Sequence, residues 1–303
     1  MLENKFSIFI CSLFASAGLL SLPAHSQPSA SRDDALSRIA NNGYFTIGHR
    51  AATFPFSYVD AATQKPQGYT VDICHRIYEQ VKAELKRPDL KLRYNLVDGK
   101  NRIADVRNGV VDVECGATTI TAERQKDIAF SYAFFVSGAR FMVKKQSGIQ
   151  NELDLRDKRI AVAEGTTTEK VLRSVSANMF LNAKVVPTKD AASAFAALEK
   201  DEADAAITED AGLWGLASKS KSPQDFKLIG KFLTQEPYGI GFRKDDARLA
   251  ELIDKTLLGL FASGEAEKIF AYWFQTGPHV GEPFEKSRLL SDAFRRPSKF
   301  SPL

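Results

Sequence analysis

From Tyr44 onward, short β-rich runs alternate with stretches of helical periodicity, and this alternation restricts the chain to an α/β architecture on open sheets. A strand is predicted over residues 44–48, a loop around 54–56, and a helix from Val71 toward Pro88. Ile73, Ile77, Val81 and Leu85 recur every four residues and share one face of that helix, which Pro88 ends. A short helix from Arg102 to Gly109, a strand over 110–114 and a loop over 115–119 follow. Near 136–139 the pattern restarts, with strands over 141–143 and 159–163, a Gly-Thr-Thr-Thr turn into a helix, a helix end over 194–199 and a strand over 204–208. Residues 107–113 echo residues 199–205, a helix end running into a strand each time. Two lobes of related βαβ topology are expected, each with a loop at a strand's carboxyl end, where open α/β sheets bind ligands. The 303-residue length suits two domains. A turn and strand over 236–242 lead to helices over 246–261 and 264–274, and the tail beyond Pro278 reads as irregular, wrapping the surface.

The N-terminus has the pattern of a secretory leader. Lys5 precedes an apolar run over 6–22 that is short for a bilayer span and broken by Ser12, Ser16, Gly18 and Ser21, and small residues place a cleavage site after Ser26. A membrane anchor is the competing reading. Loss of 1–26 removes one Lys and one Glu and leaves the net charge at +4. A mildly basic surface favours encounter with anions, and the Lys/Arg-leaning tail is too sparse for nucleic acid. Cys74 and Cys115 form either a disulfide or two buried thiols. His49, His75 and His279 are scattered, so no metal site is expected, and no cofactor is implied. The Gly-Ile-Gly at 239–241 lacks the third glycine of a dinucleotide fingerprint. No GxSxG, P-loop or HExxH is present.

The chemistry lies in the loops. Thr118, Thr119 and Thr121 cluster past a strand end, with Arg124 five residues after Thr119, and a hydroxyl beside a guanidinium fork suits a carboxylate. Thr121 can equally cap a short helix. Amides of the 165–168 turn, at a helix N-terminus, suit the same anion from the other side, or the turn is an ordinary Thr cap. Glu209 and Asp210 follow a strand, where a carboxylate can hold an ammonium or complement a helix dipole.

The chain resembles the family-3 extracellular solute-binding proteins of polar amino-acid ABC transporters, nearest the periplasmic glutamate/aspartate-binding group. The resemblance runs from about 39 to 294. It rests on the shared order of Gly48-His49-Arg50, Pro55-Phe56-Ser57-Tyr58, Gly68-Tyr69 with Asp72, Asn101-Arg102-Ile103, Glu114-Cys115-Gly116-Ala117-Thr118-Thr119 with Glu123-Arg124, Gly165-Thr166-Thr167 and Ser263-Gly264-Glu265. It implies a type II periplasmic binding protein fold, two Rossmann-like lobes joined by two hinge strands. Lobe 1 is then 27–138 and 235–303, and lobe 2 is 139–234. It further implies that Arg124, Thr119 and the backbone at Thr167 bind an α-carboxylate, that Glu209 replaces the usual Asp at the ammonium, and that Arg50 and Arg102 meet a side-chain carboxylate. Ala117 also lies in this set, at a position where the subgroup has Ser. Gly99 stands for another Ser and Ala191 for a His, so donors to the distal carboxylate are fewer. The implied partners are glutamate or aspartate and an inner-membrane permease, with the protein a periplasmic monomer and not an enzyme. An enzyme on the same fold, such as a cyclohexadienyl dehydratase, or a receptor for another polar amino acid, is the alternative.

Overall fold

The computed structural model describes residues 34–299, so the predicted leader over 1–26 lies outside the described residues. Helix α1 (Ala35–Asn42) is capped by Asp34, whose carboxylate accepts from Ser37 N at 2.6 Å. Strand β1 (Tyr44–His49) follows, then a small antiparallel sheet of β2 (Ala52–Thr53), β3 (Ser57–Val59) and β4 (Pro66–Gln67). Helix α2 (Tyr69–Leu85), β5 (Lys91–Leu96), α3 (Arg102–Arg107), β6 (Val113–Glu114) and β7 (Ala129–Phe130) complete this stretch. Strand β8 (Phe135–Ser137) leads into β9 (Ala139–Lys144), β10 (Arg159–Ala163), α4 (Thr167–Asn178), β11 (Lys184–Thr188), α5 (Ala191–Glu199), β12 (Ala205–Glu209), α6 (Asp210–Ser218) and β13 (Phe226–Ile229). The chain returns through β14 (Glu236–Tyr238) to β15 (Gly241–Phe242), α7 (Ala247–Ala262), α8 (Glu265–Ala271) and α9 (Arg288–Arg295).

Two five-stranded sheets result, in the orders β5-β1-β6-β15-β7 and β11-β10-β12-β9-β13. In each the second strand pairs in parallel with two neighbours, and one antiparallel strand is inserted beyond them. The inserted strand is in each case the continuation of a crossing strand: β9 follows β8, and β15 follows β14. The crossing strands pair with each other, Glu236 opposite Ser137 and Tyr238 opposite Phe135. The predicted echo corresponds to α3 into β6 and α5 into β12, which occupy the same place in the two sheets.

The periodicity of α2 translates into burial. Ile73, Ile77 and Val81 are fully buried and Leu85 packs against the same core. Each buried aliphatic contributes roughly 1.5–3 kcal/mol. Rings of Phe56, Tyr69, Phe134, Phe135, Tyr238, Phe270 and Phe274 fill the first lobe, and Phe141, Val143, Ile160, Val162, Leu172 and Ile207 fill the second. Phe54 and Tyr58 pack edge-on, with centroids 5.2 Å apart.

Two expectations need correction. The strand over 110–114 is only Val113–Glu114, because the amides of Val110 and Val111 bond to Asp105 O and close α3 instead of joining the sheet. The tail is not wholly irregular: α9 is capped by Ser287, and Leu290 and Phe294 enter the first core, Phe294 against Phe261 and Phe270. Cys74 of α2 and Cys115 are joined in a disulfide, which ties the loop beyond β6 to the helix behind it.

Candidate functional site

The strands β1, β6, β10 and β12 point their carboxyl ends at one another across a cleft. Arg50 follows β1, with its amide donating to Ser57 Oγ at 2.9 Å, and is 9% exposed. Arg102 opens α3 and is 3% exposed. Its Nη1 donates to Asp98 O at 3.2 Å and its Nη2 reaches Gly165 O of the second lobe at 3.3 Å. Its Nε is buried without a hydrogen-bond partner. Burial, then the neighbouring Arg124 and Arg50, pushes its guanidinium down to about 9, against the carboxylates of Glu114 and Asp98.

Thr119 is fixed by the crossing strand β14: it bridges to Tyr238, and Ile120 N donates to Pro237 O at 2.8 Å. Arg124 Nη1 donates back to Thr119 O at 2.7 Å. Thr121 Oγ1 accepts from Arg124 N at 3.2 Å and steadies the turn that carries the arginine, while the short 3-10 helix Arg124–Lys126 begins from Glu123. Burial lowers the Arg124 guanidinium from its ordinary value, opposed by Glu114, Glu236, Glu209 and Glu123.

From the second lobe, Thr166 caps α4 through Glu169 N at 3.1 Å. The next two hydroxyls bind two carboxylates. Thr167 Oγ1 donates to Glu236 Oε2 at 2.9 Å, and Thr168 Oγ1 donates to Glu209 Oε1 at 3.0 Å. Thr208 Oγ1 donates to the other oxygen of Glu209 at 2.6 Å. Glu236, 3% exposed on β14, also takes hydroxyl hydrogen bonds from Thr119 and Thr234. Burial first and Glu209 second raise its carboxyl above the usual range, and the three hydroxyls oppose this.

A cavity of about 660 Å³ opens between the lobes, lined by Arg102, Thr119, Arg124, Thr167 and Glu236 among others. Arg50 lines a smaller cavity of about 200 Å³ beside it, with Asp98, Lys189 and Asp190. Ala117 and Glu209 line neither. Ala117 packs against the first core, and Glu209 joins the set through Thr168. The lobes touch along this cleft, with Lys100 and Glu164 paired at 2.8 Å and Lys170 paired with Glu123. Gly99 approaches the other sheet's loop closely: a Cβ there would stand 2.6 Å from Glu164 O. A side chain at this position would block that backbone contact.

Sequence reasoning gave no role to Glu114 or Glu236. Glu236 is one of three consecutive buried residues in a strand, and a lone acid in such a run was the available signal. Glu114 ends a strand at the place where open sheets carry ligands.

Two open α/β sheets of matching topology, joined by paired crossing strands and holding a charged cleft between their strand ends, define a two-lobed solute-binding protein. The sequence pattern of the bacterial extracellular solute-binding proteins, family 3, matches residues 45–276, and the chain belongs to that family. It is 37% identical over 298 residues to the glutamate/aspartate import solute-binding protein of Escherichia coli strain K12, covering 97% of each chain. It is 40% identical over 239 residues to the L-glutamate/L-aspartate-binding protein of Pseudomonas aeruginosa, covering 79% of each. It is also similar to the solved structure of an ancestral arginine-binding protein bound to arginine, at 30% identity and a TM-score of 0.67, over 77% of this chain and 98% of that one.

Proposed function

We propose that this protein is the periplasmic receptor of an ABC-type importer and carries glutamate or aspartate in the cleft between its lobes, releasing it unchanged. The observation that carries the reading is Arg102, a buried guanidinium with an unpartnered Nε, facing the cleft beside Arg124 and near Arg50. Three guanidiniums grouped around the cleft favour a ligand with more than one carboxylate. The names of the relatives point the same way.

In this reading Arg124 and Thr119 hold the α-carboxylate with the α4 amides at Thr167, Glu209 takes the ammonium, and Arg50 and Arg102 take the side-chain carboxylate. Ala117 shapes the wall beside them. Residues 27–138 and 235–303 form one lobe and 139–234 the other, with β8 and β14 as hinges. The leader over 1–26 is removed on export, and the closed monomer docks on a membrane permease. Closure is a population shift, bounded by how much better the ligand binds the closed form. Calorimetry of ligand-stripped protein tests the reading against glutamate, aspartate, glutamine, asparagine and arginine. Tighter binding of glutamine than of both acids would refute it, as would turnover of prephenate or arogenate.

A further inference from the structure

Glu114 ends β6 in the middle of the first sheet, in register with Gly48 of β1 and Gly241 of β15. It is 1% exposed, and neither carboxylate oxygen has a hydrogen-bond partner among the described residues. Glu209 and Glu236 are each held by hydroxyls, so Glu114 differs from both. A buried carboxylate that no donor holds calls for cations around it. They are present. Its Oε1 lies against Gly116, where a Cβ would stand 2.4 Å from it and 3.0 Å from Arg50 Cγ. It also favours the charged forms of Arg102 and Arg124.

We propose that Glu114 is a specificity-determining residue, a fixed counter-charge behind Arg50, Arg102 and Arg124 that makes the cleft prefer dicarboxylic amino acids over dicarboxylic acids lacking an ammonium. The inference rests on reading the cleft as an acidic-amino-acid site. Three guanidiniums without such a counter-charge attract the most negative ligand available. A dicarboxylate dianion exceeds glutamate by one negative charge. Glu209 attracts the ammonium directly, whereas Glu114 limits how much negative charge the arginines accept. It acts through the arginines, with no contact to ligand required. Gly116 supports the arrangement, since any side chain there would displace the carboxylate or Arg50.

The test is competition calorimetry of glutamate against glutarate on the full mature chain, with wild type, Glu114→Gln and Glu114→Asp. Wild type is expected to bind glutamate at least tenfold more tightly than glutarate. In Glu114→Gln that ratio falls about tenfold, chiefly because glutarate binds more tightly, the effect of one unit charge acting a few Å away. Glu114→Asp keeps the charge and restores the ratio. A gain for glutarate is a readout that structural damage would not produce. Equal binding of the two ligands by wild type overturns the proposal, and so does a proportional loss of both in Glu114→Gln. Should Glu114→Gln not fold, a Glu114→Asp ratio lowered tenfold overturns it as well. Wild type that binds neither acidic amino acid refutes the underlying reading of the cleft, a separate result from a ratio that fails to move.

Discussion

Replacing Arg102 by Met separates ligand binding from structural support, because the structure makes the two contributions very different in size. In the protein itself, Arg102 donates to two backbone carbonyls at 3.2 and 3.3 Å, both at the long end of the range. Against these stand its desolvation and the repulsion of Arg124 and Arg50, with the carboxylates of Glu114 and Asp98 pulling the other way. Met fills a similar volume without the charge. Arg124 and Arg50 remain near Glu114 when Arg102 is lost, so the ligand-free variant is expected to unfold within about 2 kcal/mol of wild type. Toward an acidic ligand the balance reverses, since two charged donors to a carboxylate are worth about 1.5–3 kcal/mol each. A net loss of about 3–4 kcal/mol, allowing for relaxation, corresponds to roughly 200- to 1000-fold weaker glutamate binding. Glutamine, with a neutral side chain, should change less than about fivefold. Calorimetry gives the affinities and denaturant unfolding of stripped protein gives the stability. Equal losses for glutamate and glutamine would refute the reasoning. So would destabilisation beyond about 3 kcal/mol, which would make Arg102 a brace between Asp98 and Gly165.

Burial pushes the Asp112 carboxyl up to about 6, so the folded chain holds a proton that the unfolded chain has released. Its stability contribution is full below the ordinary carboxylate range and is lost as pH rises through about 6. Asp112→Asn should remove that slope from denaturation curves measured between pH 4 and 7, and an unchanged slope would contradict it. Replacing Cys74 and Cys115 together by Ala opens a loop with a sequence separation of 41 and is expected to cost about 4 kcal/mol in unfolding experiments, with weaker ligand binding as the 116–119 loop loosens. An equally stable variant would be evidence against the tether. Gly99→Ser places a Cβ where Glu164 O now stands, so glutamate affinity should drop about tenfold and small-angle scattering of the liganded form should show a larger radius. Unchanged affinity and radius would mean that the Gly99 contact does not limit closure.

The parts of the fold readable in the sequence are those set by near neighbours. The four-residue spacing of Ile73, Ile77 and Val81 is enough to fix the buried face of α2, and the Thr-rich turn before α4 announces its own cap. Where the deciding partner is distant, the local pattern misleads. Val110 and Val111 look like strand residues, yet the Asp105 carbonyl claims their amides. Leu290 and Phe294 lie in a short Arg-flanked helix, and the rings that meet Phe294, Phe261 and Phe270, belong to the earlier helices α7 and α8. The cleft divides the same way. Arg102, Thr119, Arg124 and Thr167 belong to quotable motifs and line one cavity. Glu236 acquires its place only because a crossing strand brings it to hydroxyls from both lobes, and Glu114 only because the sheet buries it beside three arginines. The choice between thiols and a disulfide likewise depended on how α2 lies behind β6.

The exchange of inserted strands between the sheets sets an order of events for a chain that folds as it is made. The second sheet draws all five strands from the continuous stretch between Ala139 and Ile229, so it can form as soon as that stretch is available. The first sheet cannot. Its β15 pairs Gly241 with Glu114 and Phe130, residues made long before it, with the whole second lobe between them. Closing so long a loop is slow. Until it closes, β6 lacks a neighbour and Glu114 lies at an open edge. A strand made after the whole second sheet is thus the one that completes the first. A chain stalled short of Phe242 would present a second sheet with all its strands attached to a first sheet lacking β15 and the β7 that pairs with it.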